Sequence, residues 1–161
     1  MARAICNTSP LLYLYRIKAI DLLPLLFEEV WVPEAVVEEL SIGRRSGYDA
    51  PNPADYTWVK IANPRTTQSE WLATDLGPGE LAVLALALEN PDCVVLLDDL
   101  MARRTARAAG LQVWGTLKVL LESKSGGFIT SVEPFVNNLI EMGMWIDEGL
   151  RRRILTLTGE A

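Results

Sequence analysis

The stretch Cys93–Arg104 reads CVVLLDDLMARR, and its interpretation decides the fold. Valine and leucine run unbroken from Val94 to Leu97, with no polar alternation, as in a strand buried on both faces. Two carboxylates, Asp98 and Asp99, follow at once, and Arg103, Arg104 and Arg107 come soon after. Strands covered on both faces belong to parallel sheets, where ligand sites lie beyond the carboxyl ends of the strands. The paired aspartates therefore stand at the end where sites are built.

Working outward from this stretch, RAIC (3–6), VWV (30–32), TWVKIA (57–62) and LQVW (111–114) read as further strands. Helical segments alternate with them. NTSPLLYLYRI (7–17) has Thr8 or Ser9 to cap it and Pro10 in its first turn, and AIDLLPLLFEE (19–29) continues it as apolar helix. PEAVVEELS (33–41) is a helix opened by Pro33, while IGRRSGYDAPNPADY (42–56) reads as loop. NPRTTQSEW (63–71) turns away from the third strand. GPGELAVLALALEN (77–90) is apolar on nearly all sides and so is expected deep in the core. LMARRTARAAG ends at Gly110, and three more helices follow from Gly115 onward, the last capped by Asp147. The pattern predicts an α/β fold of three layers, α/β/α, with a central parallel sheet and C-terminal helices appended. It also predicts one domain over residues 1–161, with a core at about 3–125 and the appended helices at about 126–159.

Composition narrows the chemistry. The chain has no histidine, and its two cysteines, Cys6 and Cys93, lie in apolar runs. Ordinary zinc sites, histidine general bases and Ser-His-Asp triads are excluded. Neither a Walker loop nor a G-x-G-x-x-G pattern occurs, which disfavours nucleotide-cofactor enzymes. A net charge of −6 argues against a surface coated with phosphate-binding groups, though clustered arginines leave room for local contact with nucleic acid. No apolar run is long enough for a membrane span and the N-terminal residues lack signal-peptide character, so the expected location is the cytoplasm, with no membrane partner.

Carboxylates are the remaining chemical resource. Asn7 ends the first strand as Asp98 and Asp99 end the later one, so all three can reach one rim. Glu39 flanks the apolar stripe of Val36, Val37 and Leu40, whereas Glu38 points nearly the opposite way. Glu80 lies in the first turn of its helix, beside Gly79, whose missing side chain permits close approach. Each acid has a plain structural reading as a helix cap, a partner of a helix dipole or a solvated residue. Together they repel by roughly 3 kcal/mol per pair at about 5 Å and an effective dielectric near 20, which a hard divalent ion relieves. Arg103, Arg104 and Arg107 fall within about 100° on an ideal helix, forming either a solvated edge or a phosphate contact. Trp31, Trp58 and Trp114 read as core; Trp71 and Trp145 sit in turns, and no base-stacking platform is evident.

NTSPLLYL, VPEAVVEEL, LGPGELAVLALALE and VVLLDDLMARRTARAAGLQVWGTLKVLL, in this order, resemble PIN-domain proteins, in particular VapC-toxin-like homologues with an Asn-Thr-Ser-Pro opening motif. The resemblance implies a metal-dependent ribonuclease with magnesium or manganese. It places Asn7 at the first acidic position, Glu39 at the second, Glu80 at the third and Asp99 at the fourth, with Asp98 as neighbour. Glu39, Glu80 and Asp99 would be catalytic, and the metal ligands would come from these three with Asn7 and Asp98. Thr8, Ser9 and Thr116 would line the pocket, and Arg103, Arg104 and Arg107 would meet RNA. The toxin branch further implies an antitoxin protein and a homodimer. Asn7 departs from the pattern, since an amide supplies no formal charge; Asp98 either turns inward to compensate or caps the next helix. Two rivals are a non-catalytic module that binds nucleic acid or protein, and a small-molecule phosphatase.

Overall fold

The computed structural model describes residues 1–66 and 76–161, and the part of the expected 63–71 turn that includes Trp71 lies outside them. Five parallel strands form one sheet: β1 (Ala4–Cys6), β2 (Val30–Val32), β3 (Val59–Ile61), β4 (Val94–Leu96) and β5 (Gln112–Trp114). Their order is β3-β2-β1-β4-β5. Every residue of β1, β2 and β4 is buried, as strands covered on both faces must be, while β3 and β5 are the partly exposed edges. The α/β reading of the apolar runs is correct.

Helices cover the sheet. They are α1 (Thr8–Arg16), α2 (Leu23–Leu26), α3 (Glu34–Arg45), α4 (Pro78–Glu89), α5 (Leu100–Ala108) and α6 (Thr116–Ser125), with α7 (Glu133–Glu141) and α8 (Glu148–Leu157) appended. The α4 helix buries residues all round, from Ala82 to Ala87, as its apolar composition requires. Among the described residues, no helix is long and apolar enough to cross a membrane.

Two segments differ from the sequence reading. The continuous helix expected over 19–29 is broken: Lys18 takes a left-handed conformation (φ 60°), a 3-10 turn covers Ile20–Leu22, and only Leu23–Leu26 is α-helical. Conversely, α3 continues through Ile42–Arg45, where loop was expected. Gly43 carries it past the returning chain, whose Ala50 Cβ lies 3.8 Å from where a Gly43 Cβ would be. That is ordinary contact distance, so the glycine here neither stops the helix nor is demanded by its neighbour.

The topology creates a rim. β1 and β4 are neighbours in register, Cys6 beside Leu96, although the chain leaves them toward opposite halves of the sheet. At such a switch point a crevice opens beyond the strand ends. Asn7 follows β1 there, its N–H donating to Leu96 O at 3.1 Å, and Asp98 and Asp99 follow β4.

The appended helices are clasped by one carboxylate. Glu160 accepts hydrogen bonds from Ser131 Oγ, from the backbone N–H of Val132 and Glu133 at the start of α7, and from Lys124 Nζ on α6 at 2.9 Å. These donors hold its carboxyl far below the ordinary range, against the opposing effect of burial.

Candidate active site

Asn7 is 5% exposed and precedes α1 in an extended conformation, yet its side chain makes no capping bond. Its Oδ1 is buried with no hydrogen-bond donor among the described residues. A buried acceptor left alone costs about 1–3 kcal/mol, so this oxygen calls for a partner.

Glu39 reaches that corner from α3. Its Oε2 accepts from Thr8 Oγ1, and its Oε1 accepts from Gly79 N at 3.0 Å, so one carboxylate bridges the first turns of α1 and α4. Glu38, one residue earlier, instead faces solvent and pairs with Arg45. Glu80 bends back to the start of its own helix, where Oε1 accepts from Gly77 N at 3.1 Å. Burial lifts the Glu80 carboxyl above its usual range, and the charges of Asp99 and Glu39 add to the lift, against the opposing Gly77 hydrogen bond. Glu80 thus senses both of the other acids across the rim.

The two aspartates divide their work. Asp99 is the N-cap of α5: Oδ2 accepts from Ala102 N at 2.9 Å. Asp98 turns the other way, with Oδ1 accepting from Thr116 N at 2.8 Å and Oδ2 from Thr116 Oγ1 at 2.7 Å. Thr116 is fully buried, so Asp98 ties the end of β4 to the start of α6. Burial raises the Asp98 carboxyl, opposed by the Thr116 donors and by Arg103 nearby.

Arg103 is half-buried, and its Nε has no hydrogen-bond partner among the described residues. Burial lowers its pKa, neighbouring Arg107 lowers it further, and Asp98 opposes both. Arg104 and Arg107 are exposed, so the basic edge is split between one inward and two outward arginines.

Beside the acids lies a groove of about 620 Å³, bounded by α1, α6 and α8. Ser9, Asp98, Asp99 and Arg103 line it, and so do Trp145 and Arg153. From sequence Trp145 reads as a turn residue open to a partner and Arg153 as surface, and neither is assigned to the site. One signal was available: Leu150, Arg153, Ile154 and Leu157 repeat at i, i+3, i+4 and i+7, which puts the arginine on an apolar helix face.

The family model DUF3368, a PIN domain, matches residues 3–160. The chain belongs to this PIN-domain family. None of the curated proteins matches it.

PIN domains typically bind divalent metal ions. The donor set here suits a hard cation: oxygen ligands only, an orphaned Asn7 Oδ1, and a Glu80 carboxyl raised by burial and by the charges of Asp99 and Glu39. Among the described residues, however, no three acidic side chains stand close enough to hold an ion between them. Each acid accepts from an N–H of its own instead, so holding one ion between them requires the carboxylates to draw closer together.

Proposed function

We propose that this protein hydrolyses RNA phosphodiester bonds with magnesium or manganese held by Asn7, Glu39, Glu80 and Asp99. The observation that carries the proposal is the unsatisfied, buried Oδ1 of Asn7 at the same rim as Glu80, whose carboxyl feels the charges of Asp99 and Glu39. A bound ion would supply a more acidic water and offset charge developing on the phosphate. Glu39, Glu80 and Asp99 hold and orient that centre. Asp98, with both oxygens on Thr116, braces the rim and leaves Asp99 to turn one oxygen inward. Arg103, with Arg104 and Arg107 outside it, draws the polyanion toward an acidic protein. The resemblance of the Asn7–Pro10 opening motif to the toxin branch supports an antitoxin protein that covers the rim, a homodimer, and a cytoplasmic site of action.

Manganese titration by calorimetry tests the assignment on the wild type and on Glu39→Ala, Glu80→Ala and Asp99→Ala. Each substitution is expected to weaken binding at least about tenfold, the effect of losing one charged ligand worth roughly 1.4 kcal/mol or more. Unchanged affinity in all three rejects it. Cleavage of single-stranded RNA, without turnover of a simple phosphomonoester, separates the nuclease from a small-molecule phosphatase.

A second reading is a PIN-like module that binds nucleic acid without cutting. The neutral Asn7 and the separate N–H partner of each acid favour it. RNA binding with no cleavage in manganese is its expected signature.

A further inference from the structure

The segment between α7 and α8 is built to hold one aromatic ring outward. At the end of α7, Gly143 adopts φ 99°, its N–H donates to Ile140 O at 3.1 Å, and Met144 N donates to Leu139 O at 2.9 Å. This paired hydrogen-bonding pattern stops the helix and requires the left-handed residue that glycine supplies. Asp147 then starts α8, its Oδ1 accepting from Leu150 N at 2.7 Å. Between these two anchors Met144 and Ile146 are half-buried against the core, while Trp145 is 85% exposed. A tryptophan left this bare forgoes a large hydrophobic gain, which suits a residue whose partner is a ligand.

The surroundings indicate which ligand. Trp145 borders the same groove as Asp99 and Arg103, and its walls carry Leu121 and Leu157 together with Arg153 and with Lys118, which also pairs with Glu122 on its own helix at 2.9 Å. Arg151, two residues before Arg153, is engaged by Glu133 and Asn137 on α7, whereas Arg153 faces the groove. Apolar walls with an aromatic plate, alternating with cationic heads and leading to the acidic rim, match the two faces of an unpaired nucleotide: a flat base and a charged phosphate. A base inside a duplex already has both faces covered, and a paired strand cannot offer one to the ring.

We propose that Trp145 is a stacking platform for an unpaired base, and that Arg153 and Lys118 hold the adjoining phosphates, so that the groove feeds a single strand to the rim. The inference deepens the nuclease reading and takes from it only that the ligand is a polynucleotide.

The probe is a short fluorescent oligoadenylate RNA, with affinity measured in EDTA at low salt so that cleavage plays no part. Trp145→Ala is expected to weaken binding at least about tenfold, and Trp145→Phe to stay within about threefold of wild type. Arg153→Ala should weaken binding and reduce its salt dependence by about one ion. Tryptophan emission should fall on binding in the wild type by more than in Trp145→Phe. The same RNA annealed to its complement should bind more weakly than the single strand. Wild-type affinity in Trp145→Ala, equal affinity for the duplex, or no binding by the wild type overturns the proposal. So does a concentration-dependent dimer that Trp145→Ala abolishes with RNA affinity intact, since the ring would then belong to an interface between copies. Cleavage in manganese is scored separately: cutting with unchanged Trp145→Ala affinity removes the platform and keeps the nuclease, and Trp145-dependent binding without cutting does the reverse.

Discussion

Gly79 and Glu39 occupy each other's space: a Cβ on Gly79 would lie 2.6 Å from Glu39 Oε1, while the Gly79 N–H donates to that same oxygen. The carboxylate sits where a side chain would otherwise be. Because it is the far end of a flexible side chain, it can be pushed aside at little cost, and alanine is favoured over glycine by roughly 0.5–1 kcal/mol inside a helix. Gly79→Ala is therefore expected to melt within a few degrees of wild type yet lose about tenfold or more in manganese affinity and RNA cleavage. A calorimetric titration beside a thermal melt checks this; function retained along with stability would show that the carboxylate's position does not matter.

Asn7→Asp adds a charge where the amide oxygen now lacks a donor. Without metal the variant should be less stable than wild type, because a fourth carboxylate joins a rim whose Glu80 already feels Asp99 and Glu39. With manganese the order should reverse, with binding about tenfold tighter and faster cleavage. Equal metal affinity in the two proteins would show that position 7 is no ligand.

Thr116→Val conserves shape and removes the hydroxyl that donates to Asp98 Oδ2. The buried carboxylate keeps only the backbone donor, and the cost should be about 1–3 kcal/mol. Urea unfolding measures it. A loss below about half a kilocalorie would mean that solvent reaches Asp98 and replaces the bond.

Glu160 makes stability depend on acidity. Its carboxyl is held far below the ordinary value, so the folded form keeps the charge at pH values where the unfolded chain, near about 4.3, has already bound a proton. Its contribution is complete above that value and drains away as the pH falls further. Glu160→Gln should cost about 1–3 kcal/mol near neutrality. The gap between variant and wild type should narrow progressively below about pH 4 in chemical denaturation. A gap constant with pH would mean that the charge is not what binds Ser131, Val132, Glu133 and Lys124.

Much of the rim could be read in advance because it follows from chain direction. An unbroken apolar strand ending in Asp98 and Asp99, and another ending in Asn7, meet beyond a parallel sheet however the helices pack. Which aspartate caps α5 could not be read, since successive residues point to opposite sides and only the position of Thr116 decides between them. The long α3 was hidden because Gly43 looks like punctuation, although the helix runs on through it to Arg45. Trp145 was hidden for a different reason. A lone tryptophan in a turn is ambiguous, and its exposure comes from the Gly143 turn and the Asp147 cap acting from both sides.

The pairing of Ala4 with Val94 and of Cys6 with Leu96 has a consequence for the newly made chain. A nascent polypeptide that has emerged only as far as Glu39 or Glu80 can pair β1 with β2, but it lacks β4, the strand that completes the rim beside Asn7. Long-range parallel pairing of this kind forms late, after much loop entropy has been spent. Assembly of the rim is thus withheld until synthesis has passed β4, and a chain cut short before Val94 lacks both Asp98 and Asp99 and the strand that sets them beside Asn7.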